Sequence, residues 1–340
     1  LLFFYFSAIY LTIRHQLILS ACILSLLLLF KYSQNFLGDF SRIALVILSA
    51  YISLRYWFFR TTVTITYTGL VDFTFLILLY LAETYGIFTH LMGMFVNISP
   101  MQRNCAPLPD DPRKWPTVDV FIPTYNEPLE IVKITATACT QLMYPKEKLT
   151  VFILDDGGTH QKLNDPDPKK ASAARERAEK LKAIARRLGI RYVTRENNLN
   201  AKAGNINATL MGGIDENHDT NGDIGKNGTS LSCGELILTL DCDHVPTMDF
   251  LRSTVGFFIN DDKLAFVQTP QFFNNPTPVE KNLNTYKQSP TENEMFYGGV
   301  HMGLDFWNSS FFCGSAAVLR RKPLMEIGGI SLDSITEDAA

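Results

Sequence analysis

Within the first hundred residues three apolar runs follow one another: "QLILSACILSLLLLF" at 16–30, "IALVILSAYISLRYWFF" at 43–59 and "YTGLVDFTFLILLYLAETYGIF" at 67–88. Each is near, or somewhat short of, the roughly 20 residues with which a helix crosses a bilayer. In hydrocarbon every backbone N–H and C=O must find its partner inside the segment, so such runs are constrained to be helices. They come in succession, with few charges and with Tyr, Trp and Arg at their flanks, which argues against buried helices of a soluble bundle. Repetition also argues against a cleaved signal peptide. Residues 1–13 read as the end of a further segment. Arg103, Arg113 and Lys114 follow the last run and, by the positive-inside tendency, place the rest of the chain in the cytoplasm, with Arg55 and Arg60 on the other side.

The character of the chain changes near residue 100. "RNCAPLPDDPRKWP" at 103–116 reads as a proline-broken linker. The expected organisation is therefore transmembrane helices over 1–98, a linker over 99–116 and one large domain over 117–340, which the length of 340 residues accommodates. A net charge of −3 gives no ground for a nucleic-acid partner. The six cysteines show no CxxC spacing, so neither a zinc site nor a disulfide framework is indicated, and reduced thiols are expected. Starting at Leu1 and stopping at "TEDAA", the chain reads as a fragment.

After the linker, β-branched runs alternate with helical patterns. Strands are expected at 118–123, 149–154, 190–194, 235–240 and 264–268, and helices at about 128–142, 170–188, 201–211 and 247–259. Such alternation implies an α/β domain with a mostly parallel sheet covered on both faces. The polar stretch 212–234 stands apart. Its "DTNGDIG" imitates a calcium loop, but the glycine comes one place late and Ser230 stands where a glutamate is needed, so a mobile surface loop is expected.

Ligands of open parallel sheets bind beyond the carboxyl ends of the strands. The acids fall there: "TYNE" after the first strand, "DDGG" after the second, "DCDH" after the fourth. These place Tyr125, Asn126, Glu127, Asp155, Asp156, Asp241 and Asp243 around one crevice. Residues two apart in an extended segment share a side, so Asp241 and Asp243 can face one Mg2+ or Mn2+ while Cys242 turns to the core. That ion would in turn hold a diphosphate. Lys202 opens a predicted helix, where ammonium and amide groups favour phosphate, and Gly204 permits close backbone approach. "SITEDAA" adds Glu337 and Asp338, where either Thr336 or Asp338 caps a helix or the carboxylates serve to take a proton from an attacking hydroxyl. "FFCGSAAVLRR" at 311–321 is either core or the floor of a sugar site, where aromatic faces stack on pyranose rings.

"FIPTYNEP", "ILDDGG", "NAKAGNIN", "LDCDHVP", "VQTPQFFNNP", "MGLDFWNSSFFCGSAAVLRR" and "ITEDAA" occur in the order and approximate spacing of processive family 2 glycosyltransferases. Over roughly residues 40–340 the chain resembles the bacterial cellulose synthase catalytic subunits of that family. The resemblance implies a GT-A (Rossmann-like) glycosyltransferase domain preceded by α-helical transmembrane segments that form a channel. It further implies an inverting enzyme of the bacterial inner membrane, multi-pass, with a cytoplasmic catalytic domain that extends β-1,4-glucan from UDP-glucose with Mg2+ or Mn2+. Tyr125, Glu127, Asp155 and Asp156 then look like nucleotide-pocket residues, Lys202 and Asp241 like diphosphate contacts, and Asp241 with Asp243 like the metal pair. Asp338, beside Glu337, is similar to the general base, and Phe312, Cys313, Gly314 and Ser315 resemble the acceptor site. A periplasmic partner subunit and cyclic di-GMP acting through a PilZ domain are implied as well. That domain, the QxxRW motif and later channel helices would lie beyond Ala340. About forty residues separate "DDGG" from "KAGN", which favours the bacterial over the plant type.

Overall fold

A computed structural model of the chain describes residues 2–212 and 234–333. The calcium-like stretch from Asp219 to Ser230, and Glu337 with Asp338, lie outside the described residues. Contacts divide the chain into two compact units, one formed by residues up to Gln102 together with Phe272–Ser310, the other by Arg103–Gln271 and the residues from Phe311 onward.

In the first unit the three apolar runs become helices Ile13–Tyr32, Asp39–Val63 and Leu70–Val96, each long and apolar enough to cross a membrane. At 1.5 Å per residue the longest extends about 40 Å, enough for the hydrocarbon layer with some tilt. Leu70–Val96 buries none of its residues, leaving Phe75, Leu78 and Leu79 more than half exposed, as a lipid-facing surface requires. Several polar groups within these helices pair with one another across neighbouring helices. Arg60 Nε lies 2.6 Å from Glu83 Oε2, the adjacent Trp57 indole N–H donates to Thr84 Oγ1 at 3.2 Å, and Arg55 Nε donates to Gln16 Oε1 at 2.7 Å. These pairings hold consecutive helices side by side. Residues Phe272–Ser310 join this unit through Trp307, which stacks on Phe95 at 4.3 Å, and through Gly303, where a Cβ would meet the Val96 carbonyl at 2.4 Å.

The second unit is built on a six-stranded sheet, β1 (Val118–Thr124), β2 (Leu149–Asp155), β3 (Arg191–Val193), β4 (Leu236–Thr239), β5 (Phe266–Gln268) and β6 (Ala317–Arg320), in the order β3-β2-β1-β4-β6-β5. β1 pairs in parallel with β2 and β4, and β2 with β3. β6 runs antiparallel to both β4 and β5. Sequence patterning anticipates the other five strands but not this one, and the sheet is accordingly mixed.

Alternation divides the strand residues between two buried faces. Val118, Val120, Ile122, Val151, Ile153, Leu236 and Leu238 pack with helices Leu129–Thr140, Pro168–Leu188 and Phe250–Asn260. Phe121, Phe152, Leu154, Ile237 and Leu319 pack with Ala203, Ile206 and Leu210 of helix Ala201–Met211 and with Leu324. Burial on both sides explains why these strands read as near-continuous apolar runs. Helix Pro168–Leu188 shows why the local signals suffice: Asp167 caps it by accepting from the Lys169 N–H, Pro168 opens it, and Gly189 at φ +66° closes it. β1 to β3 wind one way from β1 and β4 lies on its other side. The topological switch point therefore falls between β1 and β4, where Thr124 ends one strand and Asp241 follows the other.

Candidate functional site

At the end of β1 the chain turns through Tyr125 and Glu127. Glu127 Oε2 accepts from Thr124 Oγ1 and from the Tyr125 N–H, both at 2.6 Å, and so folds back on the strand end. Burial opposes its charge, but these two bonds and the nearby Arg177 outweigh it and hold the carboxyl below its ordinary value. The Lys162 ammonium lies 5.2 Å from the centre of the Tyr125 ring, and its contact with the tyrosine hydroxyl raises its pKa. Asn126 is exposed.

The two aspartates ending β2 are turned inward. Asp155 is fully buried, accepting from Arg177 Nη1 at 2.6 Å, the Tyr192 hydroxyl at 2.7 Å and the Gly157 N–H at 3.0 Å. Asp156 meets Arg195 in a bidentate pair, with both bonds at 2.7 Å. Burial pushes both carboxyls up from their ordinary value, against the pull of these guanidinium groups. Arg177 spans the crevice floor, since its Nη2 also donates to Thr124 Oγ1 at 3.0 Å. The first two strand ends are thus joined before any ligand arrives.

β4 ends at Thr239, and Asp241 to His244 form a turn closed by the His244 N–H donating to the Asp241 carbonyl at 2.9 Å, rather than the expected extended segment; this turn leaves Asp241 and Asp243 accessible while Cys242 packs into the core. Burial pushes the Cys242 thiol up to about 12. Its carbonyl accepts from Thr135 Oγ1 at 2.7 Å, which pins the segment to helix Leu129–Thr140. Lys202 Nζ lies 2.7 Å from Asp241 Oδ1. Asp241, Asp243 and His244 bring ligand atoms within 4.8 Å of one another, a set of two carboxylates and one imidazole suited to a divalent cation.

β6 completes this edge. In the antiparallel register Thr239 faces Ala317, so two residues further along each strand Asp241 comes opposite Ser315. Gly314 at φ +77° and Ala316 at φ +53° turn the backbone sharply on either side of Ser315. Its buried Oγ accepts the Asp241 N–H at 2.7 Å and lies 2.7 Å from His244 Nδ1. The tautomer that donates Nδ1–H to Ser315 leaves Nε2, 3.8 Å from Asp243 Oδ1, free of a proton and able to act as a ligand. Ser315 O accepts from Gln268 Nε2 at 2.8 Å and Gln271 Nε2 at 3.0 Å, and the Cys313 N–H donates to Gln268 Oε1 at 2.9 Å. Phe312 packs against the second core face. The described cysteines, Cys313 among them, form no disulfide.

The sheet therefore brings together Tyr125 with Glu127, Asp155 with Asp156, and Lys202 with Asp241, Asp243 and Ser315. Three participants escape sequence reasoning. His244 stands inside "DCDH", where a histidine beside two aspartates is itself a ligand signal. Arg195 follows a strand end, which is a weak one. Arg177 sits among the many charges of a solvated helix and carries no signal at all.

The family model for glycosyl transferase family group 2 matches residues 236–340. Over 320 residues the chain is 41% identical to the cellulose synthase catalytic subunit [UDP-forming] of Pseudomonas fluorescens (strain SBW25), covering 94% of this chain and 38% of that protein. The corresponding subunit of Xanthomonas axonopodis pv. citri (strain 306) is 40% identical over 293 residues, 86% of this chain and 35% of that one. Cellulose synthase 1 catalytic subunit [UDP-forming] of Komagataeibacter xylinus is 38% identical, over 88% of this chain and 35% of its own length. The chain is thus similar to these subunits over most of its own length, while its match to glycosyl transferase family group 2 is confined to residues 236–340. It spans little more than a third of the curated relatives it matches. The β4 end, the DCDH cluster and the β6 reversal lie inside the span matched by the family model, whereas Lys202 and the β1 and β2 ends precede it.

Proposed function

We propose that this chain carries the donor site of a membrane-embedded, processive, inverting glycosyltransferase that polymerises glucose from UDP-glucose into β-1,4-glucan. One juxtaposition supports it most. Lys202 meets Asp241, Asp243 and His244 at the carboxyl edge of a mixed sheet, in a chain whose relatives at 38–41% identity are UDP-forming cellulose synthase catalytic subunits. Asp241, Asp243 and His244 fit Mg2+ or Mn2+, an ion that supplies positive charge to a departing diphosphate.

The chain's own groups do the rest. The Lys202 ammonium binds the diphosphate, and Tyr125 and Glu127 shape the pocket of the base, with Asp155 and Asp156 holding its floor. Phe312 and Cys313 line the approach of the acceptor, with Gly314 and Ser315 buried behind them. Asp338, next to Glu337, takes the proton from the acceptor hydroxyl as it attacks the anomeric carbon from the face opposite the leaving group. The three apolar helices lie in the bacterial inner membrane with the sheet unit in the cytoplasm. A periplasmic partner and cyclic di-GMP belong to the same reading.

The test is polymer synthesis by the intact protein in membranes with magnesium and cyclic di-GMP. UDP-glucose, UDP-N-acetylglucosamine and UDP-glucuronate are offered separately. The expected product, from UDP-glucose alone, is an insoluble glucan digested by a β-1,4-specific glucanase, and absence of such a glucan refutes the reading. Asp338→Asn is expected to retain UDP binding and lose transfer, so substantial residual synthesis would remove Asp338 as the base. Asp241→Asn and Asp243→Asn are expected to lose metal-dependent UDP binding while remaining folded.

A further inference from the structure

We infer that Arg195 is a positioning residue for Lys202: anchored on Asp156, it clamps the loop that aims the lysine at the Asp241 cluster. The inference rests on the nucleoside-diphosphate reading above.

Arg195 is 8% exposed and lies just past the end of β3. Its Nε and Nη2 donate to the two oxygens of Asp156. The other guanidinium hydrogens reach forward along the chain, Nη1 to the Leu199 carbonyl at 2.6 Å, Nη2 to the Ala201 carbonyl at 2.9 Å and to Asn198 Oδ1 at 3.3 Å. One rigid planar fork thereby joins the end of β2 to three points of the 198–201 loop, a span that a single ammonium cannot reproduce.

The loop depends on being held. Asn200 at φ +57° and Ala201 at φ +41° occupy the left-handed region, which alanine adopts only where its surroundings impose it. Gly204 lets the loop close over the first helical turn. A Cβ there would meet the Leu199 carbonyl at 2.1 Å and Arg195 Nη1 at 2.7 Å. Lys202 follows Ala201 directly, so any shift of the clamped Ala201 carbonyl is passed to the side chain that lies 2.7 Å from Asp241. Asp156, 4% exposed, is engaged by Arg195 through both oxygens and so fixes the guanidinium in place.

The experiment compares UDP with uridine, by calorimetric titration of the intact protein in detergent with manganese present. Arg195→Gln is expected to weaken UDP by at least about tenfold, the order of one charged contact, and to leave uridine unchanged. Because that variant strands the buried Asp156 carboxylate, Gly204→Ala supplies an independent route. It removes no charged group but crowds both the Leu199 carbonyl and Arg195 Nη1, and the same selective loss is expected. Lys202→Ala should match both, with no further loss when combined with Arg195→Gln. Parallel losses of UDP and uridine, additive losses in the double variant, or undiminished UDP affinity in Gly204→Ala overturn the inference. Failure of the unsubstituted protein to bind UDP would instead overturn the nucleotide reading and this inference with it.

Discussion

Ser315→Ala removes a single oxygen at the point where β6 meets the end of β4. That oxygen accepts the Asp241 N–H and lies at hydrogen-bond distance from His244 Nδ1, both at 2.7 Å, and the residue is 1% exposed. Two consequences follow from different groups. The Asp241 amide loses its partner beside a side chain that is only partly covered, so water replaces part of the bond and the stability lost is about 1 kcal/mol. His244 loses the acceptor that selects its Nδ1–H tautomer and fixes its ring. Removing an outer partner of this kind lowers metal affinity by roughly 10–100-fold, or about 1.4–2.7 kcal/mol. Manganese titration of the intact protein, followed by the electron paramagnetic resonance signal of free Mn2+, measures the second effect, and a thermal melt the first. Manganese affinity equal to that of the unsubstituted protein would refute the assignment of His244 to the cluster and of Ser315 to its orientation.

Asp155→Ala leaves the Arg177 guanidinium, the Tyr192 hydroxyl and the Gly157 N–H without their common acceptor, so a loss of about 3 kcal/mol is expected in denaturant unfolding, and a loss below about 1 would contradict the buried network. Glu127 has a lowered native pKa, so the unfolded chain binds more protons between the two values. Its contribution is therefore full above the ordinary carboxylate value of about 4.3 and is lost as pH falls through the native one. Glu127→Gln should remove that part of the acid dependence in melts taken from about pH 5 downward, and an unchanged acid limb would count against it. Thr239 Oγ1 is buried and without a hydrogen-bond partner among the described residues, so Thr239→Val is expected to raise stability by roughly 1 kcal/mol. A fall in melting temperature would show that a bound water satisfies the hydroxyl.

Much of the sheet unit is legible locally. The runs at Val118–Thr124, Leu149–Asp155 and Leu236–Thr239 are apolar on both faces because both are covered, and helix Pro168–Leu188 carries its own start and stop in Asp167, Pro168 and Gly189. β6 is not legible. "AVLR" is four residues long, follows a segment of glycine, serine and aromatics, and owes its strand form to hydrogen bonds from β4 and β5. Helix Asp39–Val63 runs past the apolar stretch 43–59 to include Arg60, whose charge is met by Glu83 of helix Leu70–Val96.

The sequence by itself determined five of the six strands and that the acids cluster at the carboxyl ends of β1, β2 and β4, because strand period, caps and apolar length act over a few residues. The placing of Asp241 and Asp243 outward and of Cys242 inward comes not from strand period but from the turn closed by the His244 N–H on the Asp241 carbonyl. Tertiary structure alone decided which of those acids remain available to a ligand. Arg177 and Arg195, distant in the chain from the aspartates they meet, take Asp155 and Asp156 into the interior. The reversed strand β6 carries Ser315 to Asp241 and His244 across more than seventy residues. Long-range charge pairing and strand direction depend on the path of the whole chain, and no local pattern encodes either.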